Sequence, residues 1–157
     1  MNEPIVIEMS KYIKPVIKEE MGKDWVLNGR NNHFWDYILD RYNGSPTNSA
    51  IIDAYVDRIY GKGLSIKNSK SNASELLKVL TVLNPKEALK IVWDYETFGS
   101  AVGQIRYAKS SERRIAKIEH LERKHIAPAK LNYEGEIDRY WFCTDWKKAH
   151  QLEPVSY

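Results

Sequence analysis

The chain has 157 residues, a length that fits one domain with a core large enough to need no disulfide or metal staple. Its 24 basic and 21 acidic residues leave a net charge of +3 and are spread along the chain, which excludes the clustered basic stripe of a dedicated nucleic-acid binder. Cys143 is the single cysteine, which excludes an intramolecular disulfide framework. Because no apolar run reaches the roughly 18 residues of a membrane span and MNEPIVIEM lacks signal-peptide features, we expect no membrane role.

Residues 1–30 are predicted to form an extended arm. They hold one β-like run, Ile5-Val6-Ile7, and then a Lys- and Glu-rich piece that Pro15 and Gly22 interrupt. Apolar residues around Pro15 allow a short amphipathic helix, but so brief a segment needs tertiary contacts to hold its shape.

Two helices in tight succession are predicted next. The first starts behind Asn32 as N-cap and carries apolar residues at helical spacing until Asn43-Gly44. The second has Ser45 as N-cap and Pro46 at its first position, and it ends at Gly61. Ile52, Tyr55, Val56 and Ile59 are predicted to lie on one stripe of this helix.

A polar loop over 62–73 precedes a short helix that is almost wholly apolar. Ser74 is its predicted N-cap, and the leucines and valines from Leu76 to Leu83 predict that this helix is buried among the others.

The segment from Asn84 to Lys109 is predicted as a capped helix that leads directly into a strand. Asn84 is the N-cap, Pro85 takes the first position, and Glu87 completes a capping box. Gly99 ends the helix, and alternation over 101–109 predicts the strand. A stripe of Leu89, Val92 and Trp93 is predicted to face inward, with Trp93 on the inner face of the following sheet.

The remainder of the chain is predicted to be antiparallel strands. A hairpin connection at 110–114 leads to a strand over 115–122, and a bend follows at 125–128. Two further strands, 130–133 and 137–144, flank a turn at Glu134-Gly135. The predicted fold class is α+β in a single domain over 1–157, with an arm (1–30), N-terminal helices (31–99), an antiparallel β-meander (100–146) and a polar tail (147–157).

No catalytic, cofactor or metal site is predicted. The four histidines, Cys143 and Asp145 match no zinc spacing. Asp53 and Asp57 share a helix face, as do Asp36 and Asp40, so each pair has the geometry of an acid and a base. We favour the alternative that both pairs lie on a solvent-exposed, charged helix face. Neither pair has a nucleophile near it in a recognisable catalytic motif.

The sequence Gly61-Lys62-Gly63 superficially suggests a phosphate-binding loop. A Walker loop follows a strand and precedes a helix, whereas these glycines end a helix. We therefore predict that these glycines form a helix C-cap. The alternative is that the loop, with its nearby lysines, contacts nucleic acid electrostatically.

Several blocks of sequence together resemble a known family. They are DWVLNG at 24–29, NHF at 32–34, YNGSPT at 42–47, AII at 50–52, YGKGL at 60–64, DYETFGSA at 94–101, IEHL at 118–121, GEI at 135–137 and YWF at 140–142. In their order and spacing, over nearly the whole chain, they are similar to the N-terminal part of tailed-bacteriophage portal proteins, particularly those of phages from Bacteroidetes-type hosts.

The resemblance implies a non-enzymatic structural protein, part of the ring at the capsid vertex through which DNA is packaged and ejected. It implies other portal subunits, terminase, capsid and connector proteins and non-specific double-stranded DNA as partners, and the virion and the host cytoplasm as locations. A portal also needs a stem and a clip, and neither follows Trp146, so a wing fragment is implied.

Candidate interface residues follow from this interpretation. They are Tyr12, Trp25, Arg58, Tyr60 and Lys62. The candidate surfaces are the outer faces of the helices around 45–60, the loop over 62–72 and the first thirty residues. The alternative function is a small nucleic-acid-binding or partner-binding module of a mobile element.

Overall fold

A computed structural model describes residues 19–21, 24–65, 73–109, 114–152 and 154–157. Helices occupy the middle of the chain, and short antiparallel strands stand before and after them, so the predicted α+β class is confirmed. In chain order the elements are β1 (Glu19–Met21), β2 (Val26–Asn28), α1 (Phe34–Asn43), α2 (Pro46–Tyr60), α3 (Ala73–Val82), α4 (Pro85–Phe98), β3 (Val102–Tyr107), β4 (Ile115–Leu121), β5 (Ile126–Pro128), β6 (Tyr140–Phe142), α5 (Ala149–Leu152) and β7 (Val155–Ser156).

The strands of the described residues form three sheets. β1 pairs with β2 in the segment that was predicted to be an arm, and β3 pairs with β4 in the predicted hairpin. β5, β6 and β7 form the third sheet, in that order. Residues 126–128 are therefore a strand, and the prediction of a bend there was wrong, as was that of a strand over 130–133. β7 comes from the predicted polar tail.

Helix ends follow the local sequence. The Ser45 hydroxyl accepts a hydrogen bond from the Asn48 amide, and the Asn84 side chain accepts one from the Lys86 amide. Gly61 and Gly99 end α2 and α4 with positive φ, and their amides donate to the carbonyls of Asp57 and Tyr95. These caps were predicted because all of their partners lie within one helical turn.

Asn32 does not cap α1 as predicted. It is buried at the end of a 3-10 turn over Arg30–Asn32, and its backbone has a φ of 64°. Its side-chain oxygen accepts hydrogen bonds from the Asn28 amide and the Trp35 indole, while its side-chain nitrogen donates to the carbonyl of Lys124, 92 residues away. Asn32 therefore cross-links the start of the helical part to the sheet part.

α3 is not buried as predicted. Leu77 is 66% exposed and Val79 is also exposed, whereas Leu80, Val82 and Leu83 are half-buried. Leu83, just after the helix, forms an isolated bridge with Ile118 of β4. The helix begins at Ala73, so Ser74 lies inside it.

Trp93 does not pack on the inner face of the sheet, so that prediction was wrong. Its ring meets Tyr42 of α1 and Phe98 edge to face, with centroids 5.2 and 5.9 Å apart. The side of α4 that meets the β3–β4 hairpin carries Ile91, which a Cβ on Gly103 of β3 would touch at 3.7 Å.

A second centre of packing joins the two ends of the described chain. Trp25 and Leu27 from the β1–β2 region are buried with Ala127, Cys143, Trp146 and Ala149, and Trp141 packs against them. Within the described part of the chain, no helix is long and apolar enough to span a membrane.

Candidate functional site

Three of the predicted interface residues stand together at the end of α2. Arg58 and Lys62 are exposed there. Tyr60 is half-buried, and its hydroxyl donates a 2.9 Å hydrogen bond to the Pro85 carbonyl at the start of α4. Tyr60 thus fixes the two helices to each other, while Arg58 and Lys62 remain at the surface.

The other two predicted contacts are Tyr12 and Trp25. Tyr12 lies outside the described residues. Trp25 is in the core and only 9% exposed, with its ring 5.7 Å from both Trp141 and Trp146. Trp25 therefore does not contribute to an exposed apolar patch, and its prediction as a surface contact is corrected.

An exposed apolar stripe runs along α2. Ile51, Tyr55 and Ile59 are 51%, 54% and 56% exposed, and their spacing of four residues places them on one face of the helix. Of the stripe predicted from the sequence, Val56 is buried and Ile52 is half-buried, whereas Tyr55 and Ile59 are exposed. We call Ile51, Tyr55 and Ile59 the α2 stripe.

The α2 stripe continues into a groove between α2 and α4. Ile59 lines one side, and Ile91, Val92 and the exposed Tyr95 line the other. The groove has a volume of about 660 Å³. Exposed apolar side chains that lie together in this way are found at protein contact sites.

A separate cavity opens where α1 and α4 meet β4 and the 3-10 turn that follows it. Its volume is about 300 Å³, and Leu39, Trp93 and Phe98 form its apolar wall. We call it the α4–β4 cavity.

A buried hydrogen-bonded pair of side chains lies at the wall of this cavity. Asp94 Oδ2 lies 2.7 Å from His120 Nε2, and the two side chains are only 5% and 8% exposed. The same oxygen accepts a hydrogen bond from the Arg123 amide at 3.2 Å. Because burial of charge is costly unless its partners are in place, this pair requires α4, β4 and the turn to keep their relative positions.

Glu87 adds a second tie between α4 and β4. It does not close the predicted capping box; its Oε2 accepts a 2.8 Å hydrogen bond from the His120 amide, and its Oε1 accepts one from Lys90. The Lys90 ammonium, followed by the His120 amide, holds the pKa of Glu87 below its usual value.

Arg123 occupies the end of the cavity wall. Its Nε donates to the Ser100 hydroxyl at 2.9 Å, and one terminal nitrogen donates to the Ile126 carbonyl at 2.9 Å. Its guanidinium also lies 4.2 Å from the centre of the buried Trp35 ring, a cation–π contact. Arg123 is therefore held in one position by three contacts from different parts of the chain.

The paired carboxylates lie in polar settings. Asp53 accepts a 2.7 Å hydrogen bond from the Tyr42 hydroxyl, and this bond raises the pKa of the Tyr42 phenol above its usual value. Asp36 lies 2.9 Å from His33 Nδ1.

Among the described residues there is no group of three His, Cys, Asp or Glu side chains arranged to hold a metal ion. Burial raises the pKa of the Cys143 thiol, whose sulfur donates to the Asp145 carbonyl.

Sequence reasoning missed the α4–β4 cavity. One signal for it exists: Glu87, Ile91, Asp94 and Phe98 follow the spacing of one helix face, which brings two carboxylates to the side that meets the sheet. The identity of their partners had no local signal, since His120 and Arg123 come from another part of the chain.

Comparisons of the chain with protein families, with curated proteins and with solved structures find no match.

Proposed function

We propose that this chain is a structural assembly domain, and that its assembly is the portal ring at the vertex of a tailed-phage capsid. The observation that supports an assembly role is the α2 stripe with the neighbouring groove, because it lies on the helix face that the resemblance implies as an interface. The resemblance of the sequence blocks supports the portal as the assembly. In this proposal the chain acts through shape and contact, without catalysis.

The α2 stripe has the composition of an interface centre. Two aliphatic side chains flank one tyrosine, and Tyr95 adds a second exposed aromatic ring beside the groove. Tyrosine is enriched where partners meet, since its ring excludes water while its hydroxyl keeps a polar partner. Arg58 and Lys62, at the same end of α2, fit the polar rim of such a contact.

The presence of the chain in virions tests this proposal. In particles from cells that carry the gene, we expect an antibody against the chain to label one capsid vertex in electron micrographs. Tyr55→Glu should reduce the amount of chain in purified particles by about tenfold or more, because a charge would be placed in the centre of the contact. Quantitative mass spectrometry of the particles measures this amount.

Leu131→Glu is the matched control, because Leu131 is exposed to a similar degree and lies outside the α2 stripe. It should leave incorporation unchanged, and thermal unfolding should show both variants folded. Virions without the chain would contradict the portal proposal. Equal incorporation of the two variants would contradict the role of the α2 stripe.

Binding to DNA separates the proposal from the nucleic-acid-binding alternative. A portal passes DNA of any sequence, and a net charge of +3 offers few phosphate contacts. We therefore expect weak binding to unrelated duplexes that disappears between low and moderate salt, measured by fluorescence anisotropy. Tight and sequence-selective binding would favour the alternative.

A further inference from the structure

The α4–β4 cavity has an aromatic corner that suits a flat ring. The ring planes of Trp93 and Phe98 are at 85°, and both rings line the cavity. A planar aromatic group that stacks on one of these two rings meets the other ring edge to face. Stacking and edge-to-face contact are the two favourable arrangements of aromatic pairs. The volume of about 300 Å³ lies at the lower end of the range of ligand pockets, so the cavity fits one small molecule.

The charged rim of the cavity favours an anion. Lys90, Arg123 and Lys124 line it, against a single exposed carboxylate, Glu122. The other carboxylate in the lining, Asp94, is already bound to His120 and to the Arg123 amide. The lining therefore holds three cationic side chains against two carboxylates, an excess of positive charge, and apolar walls strengthen the attraction of that excess for an anion.

The two lysines keep donors for a ligand. Lys90 is exposed and pairs with Glu87 at 2.8 Å, and the half-buried Lys124 pairs with Glu122 at 3.1 Å. An ammonium group has three N–H donors, so each lysine can hold its present partner and still bind an acidic oxygen.

The cavity is held in shape before any ligand binds. The two ties from α4 to His120 and the three contacts of Arg123 fix its walls. A preformed site loses less free energy to ordering when it binds a ligand.

We propose that the α4–β4 cavity binds a small planar aromatic anion, that is, a flat ring system with one acidic group, with the ring in the corner of Trp93 and Phe98 and the acid at Lys90 and Lys124. This inference goes beyond the assembly role and does not depend on it. Two sources share this chemistry, an aromatic carboxylic acid and a nucleoside monophosphate.

Titration of the full chain with ring probes of different charge tests the proposal. The probes are 1-naphthoate, neutral 1-naphthylmethanol and cationic 1-naphthylmethylammonium, followed by adenosine 5′-monophosphate and adenosine to distinguish the two sources. Indole N–H signals in NMR spectra report binding, and Trp93→Phe identifies the signal of Trp93. We expect naphthoate to bind more tightly than the neutral probe and the cationic probe to bind least, with the Trp93 signal among those that shift.

Charge variants at the rim give effects of opposite sign. Lys90→Gln should weaken naphthoate binding by about two- to fivefold, and Glu122→Gln should strengthen it by a similar factor, as expected for exposed charge pairs. Lys86→Gln is the control, since Lys86 is exposed on the same helix but does not line the cavity. The proposal is overturned if the three naphthyl probes bind equally, if none binds at millimolar concentration, or if Lys86→Gln acts like Lys90→Gln.

Discussion

Replacement of Trp35 by alanine is expected to lower the free energy of unfolding by about 3–5 kcal/mol, the cost of removing a large aromatic side chain from a core. Trp35 is buried on α1, and its ring meets Phe98 of α4 edge to face at 5.6 Å. Its indole donates to Asn32, and its face carries the guanidinium of Arg123. Truncation would thus leave a cavity and remove one contact each from the buried Asn32 and the half-buried Arg123. Urea denaturation followed by circular dichroism measures the change.

Two control variants separate these contributions. Trp35→Phe keeps an aromatic ring in place and removes the indole N–H, so it should cost less than the alanine variant. Tyr133→Ala removes a fully exposed ring and should change stability by less than about 0.5 kcal/mol. If Trp35→Ala cost under about 1 kcal/mol, the helical part would not depend on this ring as its contacts indicate.

Replacement of Asp94 by alanine is expected to cost about 2–4 kcal/mol. Two buried donors would lose their acceptor, the His120 ring nitrogen and the Arg123 amide, and each unsatisfied group costs about 1–3 kcal/mol. The same denaturation experiment measures the loss. Asp94→Asn keeps an oxygen of the same position and should cost less.

A double-mutant cycle tests whether Asp94 acts through His120. The combined variant Asp94→Ala/His120→Ala should cost less than the sum of the single variants, by an amount in the range of about 0.5–3 kcal/mol that contacting pairs show. Simple additivity would contradict a direct interaction across the 2.7 Å contact.

Features that depend on neighbours in sequence were predictable. Ser45, Asn84, Gly61 and Gly99 all act as caps through bonds within one turn of a helix. The β3–β4 hairpin was predicted from the alternation of apolar and polar residues along both strands. A separate turn was predicted at Glu134-Gly135, and the φ of 78° at Gly135 suits it.

Features that depend on distant partners were not predictable in this way. Asn32 has the sequence context of an N-cap, yet its bonds reach carbonyls 92 and 94 residues away. The apolar content of α3 predicted that the helix is buried, but Leu77 is exposed. Whether other elements cover a helix depends on the rest of the fold and cannot be deduced from the sequence of that helix. The sequence around Asp94 is typical of a surface carboxylate. Its burial depends on His120 and Arg123, which come from a distant part of the chain.

The tryptophan-rich core has a consequence for synthesis of the chain on the ribosome. Trp25 and Leu27 leave the ribosome well before their partners Cys143, Trp146 and Ala149, which lie far along the chain. The helices and the β3–β4 hairpin have local contacts and can form first, but closing so long a loop must wait for the late residues. Until then Trp25 stays exposed on the nascent chain, which makes this interval the one in which chaperones and proteases compete with folding.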